Sequence, residues 1–179
     1  MSHYVLDACA LVNLYCGWGG LAELRKFGDS WSIGDIALRE AVFVREFDQS
    51  GNLYKVVLSP EAVVADGNLH VASLDSEDEQ SSLIEFARDL DDGEAQALAI
   101  AMHRKKILVT DDRPAIRVAN ALSPAVPSLG TPEILKAWVE STPENQMRLV
   151  EVVRRISILG PFQLRKTSAN YIWWRSLLS

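Results

Sequence analysis

Tyr4-Val5-Leu6-Asp7-Ala8-Cys9-Ala10-Leu11-Val12-Asn13-Leu14 decides the fold. Its first three residues form a short apolar, β-prone run, and Ala8 to Tyr15 is compatible with a helix. Asp7 stands at the junction. A strand that passes directly into a helix opens a βα unit, and repeated βα units build parallel sheets. The pattern recurs at Ile107-Leu108-Val109-Thr110, where Asp111-Asp112 lead into a helix from Arg113 to Leu122. Pro114 is tolerated in the first turn of that helix. In parallel sheets, functional groups collect beyond the carboxyl ends of the strands. With both strands central, Asp7 and the Asp111-Asp112 pair lie side by side at one sheet edge.

The remaining chain fills in around these units. Trp31-Ser32-Ile33 predicts another strand, and the three-and-four apolar spacing of Ile36 to Phe47 predicts a helix. Tyr54 to Leu58 and Leu69 to Leu74 read as strands of a hairpin, with Asp66-Gly67-Asn68 as a turn. Ser76-Glu77-Asp78-Glu79 opens an acid-rich helix start. Ala95 to His103 predicts an alanine-rich buried helix ending in Arg104-Lys105-Lys106, a solvated end or a nucleic-acid contact. Val126 to Leu129 predicts a last short strand. Thr131-Pro132-Glu133 and Thr142-Pro143-Glu144 open helices, the second running to Leu159, and Thr167 to Leu178 predicts a final aromatic helix. The expected architecture is a three-layer α/β/α sandwich with a mainly parallel sheet over residues 1–140. Residues 141–179 form a helical extension packed on it.

The chain has 179 residues and a net charge of −6, with 48% hydrophobic and 23% charged residues. This apolar content offsets the entropy of ordering the chain and argues against disorder. The acidic total excludes whole-surface attraction to nucleic acid or anionic membrane. It leaves room for a local basic patch, or for acids gathered around a metal. Cys9 and Cys16 are too few for a disulfide framework and lack zinc-site spacing. The N-terminus lacks the basic start of a signal peptide, and no apolar run approaches the ~20 residues of a membrane span. A cytoplasmic, membrane-free protein is expected. Residues 1–129 hold 11 basic and 20 acidic residues, net −9, whereas residues 130–179 hold 7 and 4, net +3. The basic tail, with Arg154-Arg155 and Arg165-Lys166, is a candidate phosphate-facing surface.

Two further acids have apolar surroundings. Glu40 sits between Ile36 and Phe43 at helical spacing, and Glu94 opens the alanine-rich helix. Clustered carboxylates repel one another and need a compensating cation to stay charged. An oxygen-only set favours Mg²⁺ or Mn²⁺, ions that support phosphodiester hydrolysis. Each acid also has a plainer reading: Asp7, Asp111 and Asp112 as helix caps, Glu94 as a dipole-favoured helix start, Glu40 paired with Arg39 or Arg45.

Four segments in order resemble the PIN-domain nucleases: Tyr4 to Leu14, Leu38-Arg39-Glu40, Leu90 to Ala101 and Ile107 to Arg113. The resemblance covers roughly residues 3 to 140. It implies metal-dependent RNA cleavage leaving a 5′-phosphate. It assigns catalysis to Asp7, Glu40, Glu94 and Asp112, and metal ligation to Asp7, Glu94 and Asp112 with Asp111 as an auxiliary or structural residue. Asn13 matches a polar position that orients ligands and, with Thr110 and Arg113, is a candidate substrate contact. Many stand-alone proteins of this kind resemble toxins of prokaryotic toxin–antitoxin pairs, which implies a homodimer and a small antitoxin partner. The 50-residue tail departs from the compact toxins. A non-catalytic PIN-fold interaction protein is the alternative. An aspartyl phosphatase is disfavoured, because Asp7-Ala8-Cys9 lacks the second Asp of a DxD pair.

Overall fold

β1 (His3–Leu6) lies at the centre of a five-stranded parallel sheet in a computed structural model that describes residues 2–27, 30–41 and 43–179. β2 (Ser30–Gly34) pairs with one side of β1, and β5 (His70–Ala72) pairs with β2. β6 (Ile107–Val109) pairs with the other side of β1, and β7 (Ser128–Leu129) extends beyond it. The order β5-β2-β1-β6-β7 reverses direction between β1 and β6. Such a switch point opens a crevice at the strand carboxyl ends. Asp7 and Asp111 both follow strands that flank it.

Both faces of the sheet are covered, as parallel sheets require. Side chains alternate between the faces along each strand. Leu6, Ile33 and Val109 join one buried cluster, together with Leu11 and Leu14 of α1 (Ala8–Trp18), Trp138 of α7 (Thr131–Ser141) and Ile156 of α8 (Leu149–Leu159). Val5 and Leu108 join the other. That cluster includes Phe86 of α4 (Glu77–Phe86), the alanines of α5 (Asp92–His103) and Ala115 of α6 (Arg113–Ala121). The sandwich is therefore α/β/α, as the strand–helix alternation predicts. No helix among the described residues is long and apolar enough to cross a membrane.

The segment 36–74 departs from expectation. The helix expected over Ile36 to Phe47 is α2 (Asp35–Glu40) followed by β3 (Phe43–Phe47); Val42 lies outside the described residues. β3 pairs antiparallel with β4 (Leu53–Val57) in a separate two-stranded sheet. Apolar residues at 43, 44 and 47 satisfy helical spacing and also supply both faces of a strand, so a distant partner decides. The turn is held by Asp48, whose carboxylate accepts from the Ser50 and Asn52 amides at 2.8 Å each, with Gly51 at φ 82°. The strand expected at Leu69 to Leu74 does not pair with β4; its core, β5, lies parallel on β2. Between them runs α3 (Pro60–Gly67), capped by Ser59 with Pro60 in its first turn and ended by Asn68 at φ 51°. The Ser-Pro start was there to be read.

Smaller differences lie in the tail. The helix expected from Thr142 to Leu159 is a 3₁₀ turn, Pro143–Met147, then α8; the last helix, α9, spans only Tyr171–Ser176. Trp174 is buried against Phe162 and Trp173. Arg104 is bound to Glu79 through two nitrogens at 2.7 and 2.9 Å, and Lys106 donates to Ser32 Oγ. Lys106 precedes β6, at the end of the sheet opposite the acids.

Candidate functional site

The junction of β1 and α1 places Asp7. Its amide donates to Val109 O at 3.0 Å, tying it to β6. Its Oδ1 caps α1 by accepting from the Ala10 amide at 2.6 Å. Oδ2 is buried and makes no hydrogen bond among the described residues. Burial pushes the carboxyl up to about 7; the Thr110 hydroxyl and the Ala10 amide pull it down, while Asp111 and Glu94 push it further up. A cap alone explains one oxygen of this residue and leaves the other costly.

Asp111 and Asp112 diverge. Asp111 accepts from the Thr131 amide at 2.8 Å, from the Thr131 hydroxyl, and from Asn13 Nδ2 at 2.9 Å. Burial raises its pKa and these donors oppose the rise. The residue braces the start of α7. Asp112 caps α6 through Oδ2, which accepts from the Ala115 amide at 2.9 Å, and its own amide donates to Thr110 Oγ1 at 3.0 Å. Thr110 is fully buried and Arg113 is exposed, donating to Thr167 at 3.0 Å. Asn13 is buried, and its Oδ1 makes no hydrogen bond among the described residues; a side chain on Gly160 would intrude on that oxygen at 2.7 Å.

Glu94 lies in the first turn of α5. Its carboxyl rises to about 7, first through desolvation and then through the charges of Asp112 and Asp91. Glu40 ends α2 and is exposed. Its Oε1 accepts from the Gly93 amide at 3.1 Å, so it caps α5 rather than pairing with Arg39, which bonds Asp35 instead. Desolvation raises its pKa, and Asp91 and Asp92 add to the rise. The Cys9 thiol records the combined field: desolvation pushes it up to about 12, and Asp7, Glu94, Asp111 and Asp112 all contribute.

The fold thus brings Asp7, Glu94, Asp111 and Asp112 within electrostatic reach of one point, with Glu40 at the rim. Among the described residues no three His, Cys, Asp or Glu side chains form a ready cation cage. Mg²⁺ does not require one, because it keeps several waters and takes one or two carboxylates. A buried carboxylate oxygen without a partner, amid mutually repelling acids, fits a hard divalent ion.

A cleft of about 860 Å³ opens beside Asp112. Arg113 lines it, and Phe162, Gln163 and Arg165 of the tail form another part of its wall. A smaller hollow of about 220 Å³ lies between Glu40, Val12 and β3. Cys9 and Pro161 line both. Sequence reasoning missed Thr131 and Gln96. Gln96 accepts from the Ile36 amide at 2.9 Å and donates to Asp35 at 2.5 Å, fixing α2 and hence Glu40. A buried glutamine in an alanine-rich helix was the available signal.

No curated protein and no solved structure matches the chain significantly. A family model for the PIN domain matches residues 4–142, a range that holds every acid of the site. PIN domains are generally nucleases and typically use divalent metal ions. With that match over most of its length, the chain belongs to the PIN-domain family.

Proposed function

We propose that the chain is a Mg²⁺- or Mn²⁺-dependent endoribonuclease. The observation that carries this reading is the buried Oδ2 of Asp7, without a hydrogen bond among the described residues, on a carboxyl repelled by Asp111 and Glu94 at the sheet's switch point. Asp7, Glu94 and Asp112 would hold the ion. When bound, a divalent ion polarises the scissile phosphate and lowers the pKa of the attacking water.

The chain's own groups do the rest. Asp111 and Asn13 hold the frame, joining α1 to α7. Thr110 fixes the Asp112 backbone. Glu40, exposed and anchored on the Gly93 amide, accepts the proton of the attacking water as the bond from phosphorus to the 3′ oxygen breaks, and the leaving 3′ oxygen takes a proton from solvent. Arg113 and Arg165, both lining the cleft, hold flanking phosphates.

Asp7→Asn should abolish Mn²⁺ binding in calorimetry and RNA cleavage, with an unchanged circular dichroism spectrum. Full cleavage by that folded variant would end the assignment. A parent protein that neither binds Mn²⁺ nor cuts RNA would instead establish the non-catalytic PIN-fold interaction protein. The reading extends to a homodimeric toxin held inactive by a small antitoxin. Growth arrest on expression, relieved by an adjacent small reading frame, tests that extension.

A further inference from the structure

The β3–β4 hairpin stands apart from the central sheet. Its register sets Phe43 opposite Val57, Arg45 opposite Lys55 and Phe47 opposite Leu53. These six residues share one face, because side chains alternate along a strand. All six are exposed, whereas Val44 on the other face is buried in the core. Phe43 is 38% exposed, Phe47 44% and Val57 81%. The face therefore carries a basic pair between two apolar bands and no acid. Lys55 Nζ already lies 4.2 Å from the Phe43 ring centroid.

The face is continuous with the site. Phe43 and Arg45 line the small hollow together with Glu40 and Cys9. Cys9 and Pro161 carry that hollow into the cleft beside Asp112. A chain lying in the cleft and passing the acids would leave across the hairpin.

Resting on the ribonuclease reading, we propose that this hairpin face is a platform for single-stranded RNA. Bases stack on Phe43 and Phe47 while Arg45 and Lys55 meet the backbone phosphates between them. Four residues at ~3.3 Å each set the two rings ~13 Å apart, which lets them stack different bases. Charge decides the occupant. The acids of the site repel a polyanion, so a substrate strand needs cations beside them, and this face supplies two with no acid among them. Single strands are held by this pairing of aromatic rings and cations. A protein partner covering the face would have to bring acids to Arg45 and Lys55 or leave their charges unpaired.

The test uses the full chain carrying Asp7→Asn, so that RNA survives the binding measurement. The probes are an unstructured 20-nucleotide RNA and a duplex of equal length. Phe43→Ala and Phe47→Ala should each weaken single-strand binding about tenfold and leave duplex binding unchanged. Arg45→Gln with Lys55→Gln should lower the slope of log affinity against log salt by about 1.4, roughly 0.7 per phosphate. Thermal midpoints confirm that each variant folds; Phe47→Ala, far from the core, is the safeguard. Single-strand binding unchanged in all the variants overturns the platform, and equal losses on both RNAs overturn stacking. A parent dimer that Phe47→Ala splits without affecting RNA binding gives the face to a second copy instead. A parent that binds no RNA overturns the ribonuclease reading as well.

Discussion

Both carboxylate oxygens of Asp111 accept hydrogen bonds, from Thr131 and Asn13, whereas Asp112 gives Oδ2 to the Ala115 amide. Removing Asp111 would strand the buried Thr131 amide and two buried side-chain donors, the Thr131 hydroxyl and Asn13 Nδ2, at about 1–3 kcal/mol each. Asp111→Ala should therefore lower the free energy of unfolding in urea by several kcal/mol. Asp112→Ala loses a helix cap worth about 1 kcal/mol but relieves Glu94 of its largest repulsive neighbour. Its stability should stay near that of the parent while cleavage disappears. The opposite pattern, a stable inactive Asp111→Ala and an active Asp112→Ala, would exchange the two roles. Strand pattern alone places both acids at the sheet edge, and only the family resemblance divides them. What divides them in the structure is Thr131, which reaches Asp111 from a segment 20 residues on and carries no local signal.

At the scale of elements, the site depends on how closely the end of α2 meets the start of α5. Glu40 leans over Gly93 so tightly that a Cβ on Gly93 would collide with Glu40 Oε2. Gly93 lies in the first turn of α5, and its value is this close approach. Alanine there favours the helix by about 1 kcal/mol, and the obstructing atom is the free end of a flexible side chain. Gly93→Ala should thus leave the thermal midpoint equal or slightly higher, displace Glu40 and cut kcat on the order of tenfold or more, since general base catalysis contributes about 10²–10⁴-fold. Unchanged kcat would remove Glu40 from the reaction. The strands bearing Asp7 and Asp112 were legible because an apolar run ending in an acid is a local pattern. The hairpin was not: residues 43–47 suit either periodicity, and pairing with residues 53–57 settles which applies. The same pairing carries Phe43 and Arg45 to the edge of the site, which the helical reading could not reveal.

For the whole molecule, two sets of carboxylates pull stability in opposite directions with pH. Glu23 fastens the tail to the sheet domain, accepting from Trp138 Nε1 at 2.9 Å and Arg148 Nη1 at 2.8 Å. Burial raises its pKa, but Arg148, Trp138 and Lys26 together bring it down to about 2. Arg104 brings Glu79 to about 2 as well, against the opposing effect of burial. Depressed groups stabilise the fold above their unfolded value of 4.5 and lose that contribution as pH falls to about 2. Asp7 and Glu94 do the reverse. Their pKa values rise to about 7 from 3.8 and 4.5, so across that window the folded state binds more protons than the unfolded one. Stability then falls as pH rises. In chelator the thermal midpoint should peak at about pH 4–5, where the first set is ionised and the second still protonated. A divalent ion held by Asp7 and Glu94 replaces those protons, so Mn²⁺ should move the peak toward neutrality by stabilising only the folded state. Asp7→Asn should flatten the decline between about pH 5 and 8 in chelator and abolish most of the Mn²⁺ shift. A chelator profile that stays level across that range, or an equal Mn²⁺ shift in parent and variant, would place the ion elsewhere. The same groups that make the metal-free fold less stable at neutral pH would then have no part in holding it.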